Sequence, residues 1–249
     1  ISLQETISLT ANNSNFTQNH SYSNLTNVSP NTKLGVIVVP YFEPTEQDWE
    51  LLYAEADKYP NIIRYVIINP CSGPCDEPLS SDWQQIISKL KSRNIKTLGY
   101  IFDTFQTKEN IDYYMIAPKI TTDGIFFDNE GSSNTIDKFR QYANYVHSLG
   151  GIVYINPGFN YSYLDNYLKE DLVDVINMYE FESSKSHHIN LADDLQSQQV
   201  SVILGNVFTI SEMKQMLYES SQSGVGIIYV YSDSYYQLPT FFPELVKEA

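Results

Sequence analysis

The run DGIFFDNEG, residues 123 to 131, passes from Ile125, Phe126 and Phe127 straight into Asp128, Asn129 and Glu130. A second run, VDVINMYE at 173 to 180, ends the same way at Glu180, with Glu182 two residues on. Paired carboxyl groups suit hydrolysis of a glycosidic bond: one acid protonates the leaving oxygen while a second carboxylate attacks the sugar or activates water. In an extended strand neighbouring side chains face opposite ways, so Asp128 and Glu130 share a face about 6.6 Å apart along the backbone, with Asn129 turned away. Each acid alone has a plainer reading, because Asp and Glu at strand ends also cap the next helix or meet water. What the rest of the chain builds around them decides between the two.

The elements that must position these acids follow from hydropathy. Eight short runs rich in β-branched and aromatic residues recur from Leu34 onward: LGVIVVPYF, IIRYVIINP, KTLGYIF, DGIFFDNE, GIVYINPG, VDVINMYE, VSVILGNV and GIIYVYSD. Between them, helical spacing is read at Glu46–Tyr59, Asp82–Asn94, Thr135–Leu149 and Ser211–Ser221, with Ser81 and Ser211 as N-caps and Gly150 as a stop. Continuously apolar strands alternating with helices indicate a parallel sheet buried on both faces. The expected fold is therefore α/β, a single (β/α)8 TIM barrel over 34–249. An open doubly wound sheet is the alternative, but no Gly-x-Gly-x-x-Gly fingerprint follows the first strand.

In such a barrel the chemistry gathers at the C-terminal strand ends. Those ends carry Tyr41, Asn69, Tyr100 with Asp103, Asp128 with Glu130, Asn156, Glu180 with Glu182, Asn206, and Tyr231 with Asp233. The ring holds acids, amides and phenols without Lys, Arg or a cysteine nucleophile. Phosphoryl transfer would need cationic clamps, acyl transfer an activated Ser or Cys, and a metal-dependent deacetylase a His at the site. Glycan hydrolysis fits best, and it calls for no cofactor and no metal. Asn69, Asn156 and Asn206 are also ordinary turn formers.

Composition points the same way. The formal charge of −15, from 15 basic and 30 acidic residues, repels nucleic acid and anionic membranes, and no stretch is apolar enough to span a bilayer. Twenty tyrosines offer flat faces with hydrogen-bonding edges, suited to sugar rings as well as to packing. Cys71 and Cys75, in NPCSGPCDEP, have the spacing of a small disulfide loop, and the four histidines supply no zinc pattern. Residues 1–33 are Asn/Ser/Thr-rich, the composition of a flexible tail, and carry sequons at Asn12, Asn15, Asn19, Asn24 and Asn27, with another at Asn160. The expectation is a glycosylated, extracellular or cell-surface chain.

Motifs in order along residues 34–249 resemble those of the spherulin 4-like family: VVPYFEP, VIINPCSGP, LGYIFDT, DGIFFDNE, INPG and DVINMYE. That family is similar to barrel glycoside hydrolases, and its characterised members are endo-acting α-1,4-N-acetylgalactosaminidases. The resemblance implies cleavage of a galactosamine-containing polysaccharide by acids on the fourth and sixth strands. Asp128 matches the family's fourth-strand Asp and Glu180 its sixth-strand acid, with Glu182 a substitute. The family's motif places Glu directly after the Asp; here Asn129 stands there and Glu130 is displaced by one. The cysteine pair is an addition to the family's loop. The expected catalytic set is Asp128, Glu180 and Glu130, with Tyr41, Asn69, Tyr100, Asp103, Asn129 and Asn156 binding substrate. A non-catalytic glycan-binding or coat module of the same fold is the competing reading.

Overall fold

Each of the eight apolar runs forms a strand: β1 (Gly35–Val38), β2 (Ile63–Ile68), β3 (Lys96–Phe102), β4 (Gly124–Asp128), β5 (Ile152–Asn156), β6 (Val175–Glu182), β7 (Val200–Gly205) and β8 (Ile227–Val230). The structure is a computed structural model and describes residues 33–102, 108–128, 136–157, 165–182 and 196–249. All neighbouring strands pair in parallel, and β8 returns to β1 through Gly35↔Ile227 and Val36↔Ile228, closing the (β/α)8 barrel. The helices described are α1 (Asp48–Lys58), α2 (Ser81–Lys91), α3 (Lys108–Met115), α4 (Ile136–Ser148), α5 (Asp165–Lys169), α6 (Ile210–Gln222) and α7 (Phe242–Glu248).

The burial pattern explains why the strands read as unbroken hydrophobic runs. In β1, β7 and β8 every residue is buried, because one face packs inside the barrel and the other beneath the helices. On the helical layer, Trp49 of α1 meets Trp83 of α2 edge-on, with ring centroids 5.9 Å apart, and neither is more than 5 % exposed. Inside the barrel, the rings of Tyr65, Phe126 and Tyr154 fill the middle, with Tyr154 touching both others. Among the described residues, no helix is long and apolar enough to cross a membrane.

Two of the cap assignments are corrected by one or two residues. Ser80, not Ser81, caps α2: its backbone is extended and its Oγ accepts from the Trp83 amide at 3.3 Å. At α6 the cap is Thr209, not Ser211. Thr209 Oγ1 accepts from the Glu212 amide, and the Glu212 carboxylate accepts from the Thr209 amide, a reciprocal capping box. The Thr-x-x-Glu spacing carried that signal; Ser211 lies inside the first turn, where its hydroxyl has no free amide ahead of it to serve. Gly150 does end the segment after α4, in the left-handed region at φ 74°.

Candidate active site

The sixth strand solves a problem of parity. Asn177 and Glu180 are three residues apart, so in a regular strand their side chains would face opposite sides of the sheet. The pairing with β7 shifts between Asn177↔Ser201 and Tyr179↔Val202, so Met178 is an extra residue with no partner. This bulge turns both polar side chains into the barrel, where each meets Asn156: Asn177 from below and Glu180 at the rim. Asn177 also donates to the Tyr179 carbonyl at 3.0 Å, satisfying a group exposed by the bulge.

From there a one-directional hydrogen-bond relay rises to the carboxylates. The Tyr154 hydroxyl donates to Ser201 Oγ at 2.5 Å, and the Ser201 proton lies between Asn177 Oδ1 at 3.0 Å and the Ile176 carbonyl at 3.3 Å. Asn177 Nδ2 donates to Asn156 Oδ1 at 2.8 Å, and Asn156 Nδ2 donates to Asp128 Oδ1 at 2.8 Å and to Glu180 Oε2 at 2.6 Å. Tyr154, Asn156, Asn177 and Ser201 are all 3 % exposed or less, so the relay works out of water. Its polarity is self-consistent, since an ionised carboxylate only accepts and each amide must turn its nitrogen towards it. The two bonds at Asn156 Nδ2, laid end to end, limit the separation of those carboxylate oxygens to about 5.4 Å.

The remaining carboxylate oxygens are held by phenols. Tyr100 donates to Asp128 Oδ2 at 2.5 Å, and Tyr235 donates to Glu180 Oε1 at 2.6 Å. Each phenol lies against another: Tyr100 meets Tyr41 edge-on with ring centroids 6.2 Å apart, and Tyr235 packs on Tyr231 at 4.3 Å. Burial pushes the Tyr100 and Tyr235 phenols far above their usual range, and the charges of Asp128 and Glu180 add to it. Burial also raises Tyr41. All three are donors throughout the range in which the protein would work.

The arms are joined across the top of the barrel. Tyr41 stacks on Tyr235 with centroids 5.5 Å apart, and its backbone amide donates to the Tyr235 carbonyl at 2.8 Å. Tyr231 sits against Tyr235 at 4.3 Å. A Cβ at Gly205 would lie 2.3 Å from the Tyr231 ring, so the absence of a side chain there makes room for this phenol. Tyr236, 73 % exposed, meets Tyr41 edge-on at 6.3 Å and extends the aromatic wall into solvent.

Of the residues singled out from sequence, Asp128, Glu180, Tyr100 and Asn156 converge in one hydrogen-bonded cluster, and Tyr41 packs its ring against Tyr100 beside it. Asn69 follows β2 and accepts from the Gly73 amide through its Oδ1 at 2.8 Å. Asn206 adopts a left-handed turn at φ 58°, and Asp233 is exposed on the loop after β8. Asp103, Asn129, Glu130 and Asn160, and the sequons at Asn12, Asn15, Asn19, Asn24 and Asn27, lie outside the described residues. Cys71 and Cys75 form the disulfide, Cα atoms 5.2 Å apart. Among the described residues no group of three or more His, Cys, Asp and Glu could hold a metal ion.

Sequence reading missed Tyr235, Asn177, Ser201 and Tyr154. Asn177 and Ser201 did carry a signal, as polar residues inside otherwise apolar strands, which are stable only when bonded. Tyr235 had none beyond its place in the loop after the last strand.

A family model described as "Spherulation-specific family 4" matches residues 35–249. Among solved structures, Aspergillus clavatus Sph3 in complex with GalNAc superposes with a TM-score of 0.76 at 22 % identity, over 88 % of this chain and 98 % of that one. A mutant endo-β-N-acetylglucosaminidase from Cordyceps militaris, complexed with fucosyl-N-acetylglucosamine-Asn, gives 0.52 at 11 % identity over 87 % and 90 %. A GH18 chitinase from Pseudoalteromonas aurantia gives 0.52 at 9 % over 86 % and 97 %. At such identities these likenesses establish the barrel. No curated protein matches the sequence.

Proposed function

This chain belongs to spherulation-specific family 4, and from that premise and the geometry of the rim we propose that it is a glycoside hydrolase with Asp128 and Glu180 as its carboxylate pair. The observation that carries the reading is the single Asn156 Nδ2 bonded to both acids at the C-terminal face of a closed barrel. Two isolated strand-end acids would cap helices or meet water. Two acids fixed on one amide, each braced by a phenol, are arranged for work on a group placed between them.

The reaction follows from that arrangement. One carboxyl group, protonated, gives its proton to the glycosidic oxygen as the bond breaks, and the other carboxylate meets the positive charge developing at the anomeric carbon. The two oxygens that share Asn156 Nδ2 are at most about 5.4 Å apart, which supports the shorter carboxyl spacing of retaining pairs, about 5–5.5 Å, over the about 6.5–9.5 Å that leaves room for a water. The expected outcome is therefore retention. In the first half-reaction the carboxylate forms a bond to the anomeric carbon while the leaving oxygen takes the acid's proton. In the second, water displaces the carboxylate and returns a proton to the first group.

The substrate we propose is a polysaccharide containing N-acetylgalactosamine or a related amino sugar, cut internally. Support comes from the family, from Sph3 having been crystallised with GalNAc, and from an acidic chain suited to a partly de-N-acetylated, cationic polymer. The family, together with the disulfide, is compatible with an extracellular protein, and we extend this to secretion with the tail sequons occupied. The test is release of reducing ends from α-1,4-linked N-acetylgalactosamine polymers by wild type, Asp128→Asn and Glu180→Gln. Each substitution should lower kcat by at least about a hundredfold. Full activity in either variant would remove that residue from the pair.

A second reading, a non-catalytic glycan-binding module, has one observation in its favour: Asn129 stands where the family places a Glu. Saturable binding of the polymer with no reducing ends released would establish it.

A further inference from the structure

The loop after β8 displays a ring that the mechanism above does not use. Tyr236 is 73 % exposed, yet the chain is anchored on both sides of it. Before it, the Tyr235 carbonyl accepts from the Tyr41 amide at 2.8 Å and the Tyr235 hydroxyl donates to Glu180. After it, Leu238 is buried and the Pro239 carbonyl accepts from the Phe242 amide at 2.8 Å. Tyr236 and Gln237 form the exposed tip between those fixed points. A single exposed aromatic is ordinary on a protein surface; one that continues an aromatic wall beside a candidate active site marks a place where a ligand lies.

Ring contacts place Tyr236 at the mouth of the cleft. It meets the Tyr41 ring at 6.3 Å, and Tyr41 in turn meets the braces of both acids: Tyr100, which donates to Asp128, at 6.2 Å, and Tyr235 at 5.5 Å. Tyr236 thus stands one ring further out than each brace. The two ring steps through Tyr41, laid end to end, keep its centroid within about 11.8 Å of the Tyr235 centroid. The loops on either side, residues 39–47 and 231–241, contain Glu43, Glu46 and Asp233 and no Lys, Arg or His. A neutral or cationic ligand suits this wall, and an anionic one does not.

We propose that Tyr236 is the stacking platform for a sugar unit outside the pair that is cut, so that affinity grows with chain length. The proposal rests on the glycan reading of the site and adds an outer subsite to it. A polymer held between Asp128 and Glu180 must leave the cleft across the rim, and the apolar C–H face of a pyranose laid on the Tyr236 ring takes both out of water. Where the unit is de-N-acetylated, its ammonium adds attraction to the face of the ring. The anchors at Tyr235 and Leu238 fix where the ring stands before the sugar arrives, which lowers the ordering cost of binding.

The experiment compares Tyr236→Ala and Tyr236→Phe with wild type on a disaccharide and an octasaccharide of galactosamine, each N-acetylated and de-N-acetylated. Kd is measured by calorimetry in the Glu180→Gln background, which keeps the oligomers whole, and KM and kcat in the active enzyme. Tyr236→Ala should raise Kd and KM for the octasaccharide about three- to tenfold, with kcat and the Kd of the disaccharide within about twofold of the parent. Tyr236→Phe, which keeps the ring, should stay within about twofold throughout. Because the side chain is exposed, Tm should stay within about 2 °C in both variants. An equal loss on both octasaccharides identifies the C–H face as the contact, and a larger loss on the de-N-acetylated one adds the ammonium. Should Tyr236→Ala fail to fold, Tyr236→Gln carries the same comparison. A folded variant without the ring that binds the octasaccharide as tightly as its parent overturns the proposal while leaving the glycan reading intact, as does a Tyr236→Phe loss equal to that of Tyr236→Ala. A wild-type protein that neither binds nor cleaves any of the oligomers overturns both.

Discussion

Asn177→Ala probes the relay without touching either acid. The side chain is fully buried and makes three hydrogen bonds: its Nδ2 donates to Asn156 Oδ1 at 2.8 Å and to the Tyr179 carbonyl at 3.0 Å, and its Oδ1 accepts from Ser201 at 3.0 Å. Three such bonds contribute about 1 kcal/mol each, and a buried partner left unpaired adds about 1–3 kcal/mol. Ser201 can fall back on the Ile176 carbonyl and the half-buried Tyr179 can take water, so the bond that matters most is the one from Asn177 Nδ2 to Asn156 Oδ1. The expected loss is about 3–6 kcal/mol, a large share of the about 5–15 kcal/mol of a typical domain. Thermal unfolding should show it as a fall in Tm of about 6–24 °C. The functional effect should exceed dilution of the folded fraction. With the Asn177 donor gone, less holds the Asn156 amide in the orientation that turns Nδ2 to the carboxylates, so kcat should drop about 10- to 100-fold with KM little changed. Stability within about 1 kcal/mol of wild type would refute the energetic assignment. Destabilisation with kcat per folded molecule unchanged would refute the claim that the relay positions the pair.

Two further outcomes follow from the phenols. Tyr235→Phe removes the donor to Glu180 while keeping the ring stacked on Tyr41, so kcat should fall about tenfold with stability within about 1.5 kcal/mol of wild type; unchanged kinetics would reduce Tyr235 to packing. Burial raises the phenol pKa of Tyr41, Tyr100, Tyr114, Tyr154, Tyr229 and Tyr235 above the unfolded value of about 10, so the native state holds these protons more tightly. Their contribution to stability is fully present below pH about 10 and is lost as pH rises beyond it. Denaturant midpoints measured from pH 8 to 12 should fall steeply only above about 10, and a flat profile would count against the burial of these hydroxyls.

The barrel was legible because its signal is local and repeated. Buried parallel strands need apolar side chains on both faces, and LGVIVVPYF, DGIFFDNE and their counterparts display this without any tertiary information. β3 falls on the predicted run KTLGYIF from end to end. The helix caps slipped because adjacent serines and threonines look alike in sequence; which hydroxyl reaches an amide depends on where the backbone turns from extended to helical.

Asp128, Glu180, Tyr100 and Asn156 were legible for a similar reason: an acid, phenol or amide closing an apolar strand marks the barrel rim. Their relation to one another was not. It depends on the unpaired Met178, which reverses the parity of β6 and brings Asn177 and Glu180 onto one face, and no residue type at that position announces a bulge. Tyr235, 55 residues from Glu180 along the chain, reaches it only because the barrel closes β8 beside β1 and seats the following loop over the rim. Sequence by itself determined which groups stand at the strand ends, since hydropathy follows from residue type. Only the tertiary structure decided which of them share a proton donor, since that depends on register, a one-residue shift and the closure of the sheet.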